Sequence, residues 1–291
     1  MPFQFTPSSW HFNIDSYVNP WLPPPPFKHL PAPIARFFGH RKEHQQPLGN
    51  IVMVFWAFIG VFCSILVIEV VGHQIPSFAE HGAPIIIGSF GAAAVLEFYA
   101  IDSPLAQPRN AILGQILASI IGIVISKLFE LGPQSHHLTW VAGSLSCASA
   151  VAVMALTGTV HPPAGATALL TVVDQHIAQL GWFLLPVVII GCVLMQCVAL
   201  LLNNIQRRFP NYWWTPEEVG QKWRRPREKT EAGDSDTDVE HGAKFERVLT
   251  PHPPTRDDLK IVITRGRVHV PDDLYITPEG RMFLEQLSEQ I

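Results

Sequence analysis

Arg109 and His161 are ionisable side chains set in a stretch almost free of charge. Residues 48–202 hold two of the chain's twenty Lys and Arg, Arg109 and Lys127, together with six acids. A guanidinium in such surroundings can hold an anion, and an imidazole can contact a ligand or pass a proton. Ser103, Gln107, Asn110 and Thr167 lie close by in sequence and could add neutral hydrogen-bond donors. Gly165 joins this substrate-binding set, although neither it nor Pro104, Pro108, Pro162 and Pro163 would touch substrate through a side chain; their part is to shape the loops. Glu97 is expected one turn before the first loop, as a proton carrier or a partner of Arg109. The plainer readings are an Arg109 that pairs with Asp102 or Glu97 or serves as a positive-inside anchor, and a His161 that caps the helix after it or holds the loop through backbone carbonyls.

Other chemistries lack their residues. The His136-His137 pair has no carboxylate or Cys at metal-ligand spacing. Cys63, Cys147, Cys192 and Cys197 sit in apolar runs without a CxxC and read as packing residues. GxSxG, HExxH and phosphate-cradling Gly loops are missing, so neither an enzyme, a metal site nor a cofactor is expected. A net charge of −4 excludes a generally basic nucleic-acid binder.

The elements that must position these groups follow from where the charge is not. A water-soluble core needs a charged face, and residues 48–202 have almost none, so their expected solvent is the lipid bilayer. A crossing helix needs about 20 apolar residues. The runs Leu48–Val71, Ala83–Ile101, Ala111–Phe129, Thr139–Leu156 and Leu180–Leu202 are candidates, and Pro162–Ala178 is a shorter one. Lys28, Arg36, Arg41 and Lys42 precede the first run; Arg207, Arg208, Lys222, Arg224, Arg225, Arg227 and Lys229 follow the last, whereas 72–82 and 130–138 carry no Lys or Arg. Both termini are therefore expected on the cytoplasmic or equivalent side. An even number follows: an all-α polytopic membrane protein of about six transmembrane segments, with the short helix as the fifth. Five crossings with a re-entrant piece are the alternative.

Around this core, residues 1–47 read as a Pro-rich arm without a secretory signal, in which 30–41 (LPAPIARFFGHR) suits the membrane surface. Residues 203–227 read as a basic interfacial helix starting at Thr215-Pro216-Glu217-Glu218, and 228–256 as an acidic disordered linker. Residues 257–291 read as a small α+β tail, a hairpin around Arg265-Gly266 and then a helix from Thr277 to about Ser288.

An offset of 55 residues aligns 88–111 (GSFGAAAVLEFYAIDSPLAQPRNA) with 143–166 (GSLSCASAVAVMALTGTVHPPAGA) without gaps. Each copy has a small-residue helix, a polar loop, a proline and a second helix. One crossing separates them, so the copies form a parallel internal repeat and both loops fall on one side. Proline suits the first helical turn, whose N–H groups have no partner within the helix. Two such ends, each equivalent to roughly +0.5 charge, would make an anion site.

His161-Pro162-Pro163-Ala164-Gly165-Ala166-Thr167 reproduces the motif that names the HPP family of integral membrane proteins, and Ser103-Pro104-Leu105-Ala106-Gln107-Pro108-Arg109-Asn110 matches its other well-marked stretch. The resemblance covers about residues 48–202, and the arm and tail look like those of filamentous-fungal members. Plant chloroplast-envelope relatives are described as nitrite transporters, so the resemblance implies movement of a small anion such as nitrite. A neutral-solute channel and a non-transporting scaffold are the alternatives. Expected partners are the bilayer, the anion, further copies of the chain and a soluble protein at the acidic tail.

Overall fold

The computed structural model describes residues 12–41, 48–132, 137–217, 219–223, 261–264, 266–270, 276 and 278–290. The proposed 228–256 linker and the His136 half of the histidine pair lie outside them. Two compact units divide the chain, Met1–Trp214 and Thr215–Ile291.

The first unit is all helix. Short α1 (Asp15–Val18) and α2 (Ala32–Phe37) belong to the arm; α3 (Asn50–Gln74) is the first long helix. After α4 (Pro76–Glu80) come α5 (Ser89–Phe98), α6 (Pro108–Glu130), α7 (Thr139–Thr157), α8 (Pro162–Val173), α9 (Gln175–Leu180) and α10 (Leu184–Gln206). Four stretches among the described residues are long and apolar enough to cross a bilayer: α3, α6, α7 and the continuous Gln175–Gln206. The chain is a polytopic membrane protein, and α3 turns many of its large apolar side chains outward. Along α3, Ala57, Gly60, Ser64 and Ile68 turn to the bundle, while Ile51, Phe55, Phe58, Phe62, Leu66 and Val70 are exposed. Three- and four-residue steps put the small residues on one stripe, which allows close packing where lipid offers no hydrophobic drive.

Two of the six expected segments are short. At 1.5 Å per residue, α5 and α8 are only about 15 and 18 Å long, against a hydrocarbon core of about 30 Å. The apolar run Ala83–Ile101 overstates its helix, because irregular backbone precedes Ser89 and a turn follows Phe98. Helices α3, α5 and α10 pack as one group and α6, α7 and α8 as another, joined through α6–α10 and α5–α8.

After α10 the expected helix at Thr215 does not form. Thr215 Oγ1 instead accepts from the Glu217 amide, and the regular structure there is a 3-10 turn at Gln221–Trp223. Gly220, with φ +81°, sits just ahead of that turn. In the second unit β1 (Val262–Thr264) pairs antiparallel with β2 (Arg267–His269), Ile263 opposite Val268. Gly266 takes φ +71° at the turn, and its amide donates to Ser288 O in α11 (Pro278–Gln290).

Candidate functional site

Helices α6 and α8 begin side by side, and the loops that lead into them are tied together. Gln107 and His161 are the N-cap residues, with Pro108 and Pro162-Pro163 in the first turns. Asn110 Nδ2 donates to Val160 O at 3.0 Å, Arg109 Nη2 to Thr157 O at 2.7 Å, and His161 Nδ1 lies 2.9 Å from Leu105 O. Each link crosses from one repeat to the other. A carbonyl oxygen only accepts, so Nδ1 carries the imidazole proton and the neutral ring keeps Nε2 as an acceptor. That Nε2 is buried without a partner.

Ser103 and Gln107 hold the first loop in shape, and Gln107 also ties it to the segment after α10. Ser103 Oγ caps the 3-10 turn Pro104–Ala106 by accepting from Leu105 N. Gln107 Nε2 donates to Ile101 O and Ser103 O, and its Oε1 accepts from Asn211 N at 2.8 Å. Gly165 faces α7, with Cys147 Sγ and Val151 Cγ2 nearest to where its Cβ would be.

Arg109 has a partner that the sequence did not suggest. Its Nη1 donates to Asp15 Oδ2 at 2.9 Å and its Nη2 lies 2.7 Å from Asp15 Oδ1, a two-point ion pair with the N-terminal arm. The expected partners Asp102 and Glu97 are elsewhere: Asp102 is exposed and accepts from Asn211 Nδ2, and Glu97 points into the bundle. The guanidinium also donates to Trp214 O and stacks 4.4 Å from the Trp214 ring centroid. Such stacking contributes about 0.5–2 kcal/mol, more as water is excluded. Arm, α6 and the segment after α10 thus converge on one side chain. Arg36, which donates to Asn204 O and Ile205 O, and Arg41, which donates to Asn204 O and Arg207 O, draw the same arm over the last carbonyls of α10. Cations suit that helix end.

Thr167 lies about one and a half turns into α8, where the polar contacts continue inside the bundle. Its hydroxyl donates to Gln115 Oε1 on α6 at 2.6 Å and lies 2.7 Å from Ser89 Oγ on α5. Gln115 Nε2 has no partner. Sequence reading missed Gln115 and Ser89, although Gln115, Ser119 and Gly122 form a visible stripe at helical spacing. Replacing Thr167 with Val leaves Gln115 Oε1 without its donor and the Ser89 hydroxyl without its acceptor. Thermal unfolding in detergent should show a loss of about 1–3 kcal/mol, largely avoided by Thr167→Ser.

At the head of α9, Asp174 Oδ1 accepts from the amides of His176 and Ile177.

Comparison with known proteins agrees with this architecture. A family model described as HPP, transmembrane region, matches residues 46–210. A transmembrane protein of Dictyostelium discoideum is 32% identical over 182 residues, covering 62% of this chain and 62% of its own. Another from the same organism is 35% identical over 162 residues, 55% of this chain and 50% of its own. The chain thus spans about three fifths and one half of those two relatives. No solved structure matches it.

Proposed function

The chain belongs to the HPP family of integral membrane proteins, and on that premise we propose that it carries a small inorganic anion, nitrite by family resemblance, through the junction where α6 and α8 begin. One observation carries the reading: Arg109 already holds an anion, with the two Asp15 oxygens 2.7 and 2.9 Å from its terminal nitrogens. A carboxylate and nitrite share a single negative charge and a bent pair of oxygens. Asp15 is therefore a tethered occupant, and a free anion takes its place when the arm withdraws. Arg109 itself stands in the first turn of α6, where backbone N–H groups have no partner within the helix. Binding must stay modest, since a site that holds too tightly does not release.

His161 is a positioning group in this scheme. Its Nδ1–H fixes Leu105 and so the loop ahead of Arg109; neutral Nε2, an acceptor, has no attraction for an anion. Arm and tail are assigned to the cytoplasmic or equivalent side by their excess of Lys and Arg.

Nitrite flux into proteoliposomes tests the assignment. Arg109→Lys keeps the charge but loses the planar fork, and should lower initial uptake by about tenfold, a loss near 1.4 kcal/mol. Asp15→Asn should raise uptake and lower KM, because it removes the competing charge. Full uptake by Arg109→Lys, or uptake abolished by Asp15→Asn in protein that remains folded, would refute the site. Solute-driven swelling without anion flux would replace the proposal with a neutral-solute channel.

A further inference from the structure

Glu97 lies near the C-terminal end of α5, 2% exposed, and no basic side chain among the described residues pairs with its carboxyl. The amide of Gln196 approaches it from α10. Gln196 is 5% exposed, and Glu97 Oε2, Gln196 Oε1 and Gln196 Nε2 all lack a hydrogen-bond partner among the described residues. Native proteins leave few such groups unsatisfied, and here three of them share one place between two helices. An ionisable side chain inside a membrane domain is itself a functional signal.

Carboxyl and amide complement each other in both protonation states. With a proton on Glu97, its O–H can donate to Gln196 Oε1. Without it, the carboxylate can accept from Gln196 Nε2 once the amide turns half a revolution about its last torsion, which is a soft one. Polar contacts from the arm side stop at the backbone of the Glu97 helix: Arg207 donates to Phe98 O at 2.7 Å and to Asn203 Oδ1, and Asn203 Nδ2 donates to Glu97 O, the backbone carbonyl, at 2.8 Å. Gln196 lies seven residues before Asn203 on α10, about 10 Å deeper.

We propose that Glu97 and Gln196 form a proton-binding site within the membrane domain, and that one proton bound there accompanies each anion. Hydronium transfers its proton to a carboxylate oxygen, forming the O–H bond and leaving water; release reverses this, and the amide turns each time. Proton and monovalent anion together carry no net charge. The coupling rests on the transport reading given above, whereas the proton site itself does not.

The other titratable or charged groups on the surrounding elements are few. Cys192 borders the carboxyl from α10, and Cys63 lies on α3. Arg207 is committed to the two oxygens named above. His161, at the start of α8, is committed to Leu105 O, and Asp102, in the loop after α5, is exposed.

Infrared difference spectroscopy on the full chain in liposomes, perfused between acidic and alkaline buffer, reads the site without any substrate. A protonated-carboxyl band should give way to a carboxylate band on alkalinisation. That pair of bands should be absent from Glu97→Gln, and its midpoint should move in Gln196→Leu, which leaves the carboxyl without the amide. A Glu97→Gln spectrum identical to the parent, or a midpoint untouched by Gln196→Leu, overturns the proposal. So does a band that follows sodium at fixed pH, since the site would then be one for a metal cation. In the flux assay, an inward acid gradient should stimulate uptake by the parent and not by Glu97→Gln. Titrating bands without any anion flux would leave the proton site standing and remove the transport reading; flux without titrating bands would do the opposite.

Discussion

Arg109→Met should destabilise the membrane domain by about 3–5 kcal/mol, and adding Asp15→Leu should return most of that loss. The expectation comes from burial. Arg109 and Asp15 are 6% and 7% exposed, so taking away one charge strands the other where water cannot solvate it. Replacing both by apolar groups of similar length removes that penalty. What the double variant fails to recover measures the remaining duties of the guanidinium: the hydrogen bonds to Thr157 O and Trp214 O and the stacking on the Trp214 ring. Reversible unfolding in mixed micelles gives the four corners of the cycle. If the double variant is as unstable as Arg109→Met, the carbonyl and ring contacts dominate and the ion pair is incidental. The same four proteins separate stability from transport. A stable double variant that moves no anion assigns Arg109 a role beyond fastening the arm.

The starts of α6 and α8 could be read from the chain because their cause is local. A proline fixes its own φ and needs no N–H in the first turn, so Pro108 and Pro162 mark helix beginnings wherever the rest of the fold goes. The meeting of the two loops could also be read, since a repeat with one crossing between its copies must put both on one side. The partner of Arg109 could not. Asp15 is 94 residues away in a Pro-rich arm, and no periodicity or motif connects an isolated acid to an isolated base over that distance. Gln196 was hidden for a different reason: inside an apolar run a single amide leaves the span assignment unchanged, and only the packing of α10 on α5 brings it to Glu97. Helix length was misread where apolar composition outran helical backbone. Residues 83–88 and 99–101 are apolar enough to extend a span on paper, but Pro84 and the turn after Phe98 confine α5 to ten residues.

Gly114→Ala should disrupt the junction more than its single added carbon suggests. A Cβ at Gly114 would stand 2.8 Å from Thr159 O and 2.9 Å from His161 Cβ. Both atoms belong to the loop that leads into α8, and a backbone carbonyl cannot swing aside as the end of a long side chain can. The loop or α6 must therefore move, an overpacking strain of about 1–3 kcal/mol. The links at risk are the ones that hold the repeats in register, His161 to Leu105 O and Asn110 to Val160 O. Gly165→Ala makes the control, because it adds the same carbon to the HPP motif itself and its nearest neighbours stand 3.8 Å off, at ordinary contact distance. Thermal unfolding should fall for Gly114→Ala and stay near the parent for Gly165→Ala. Anion flux should follow the same order if the register of the two loops, and not the glycine-rich character of the motif, is what shapes the path. Equal losses in both variants would mean instead that α8 cannot accept a methyl group on the face it turns to α7, and would move attention from the α6 side of the motif to that helix pair.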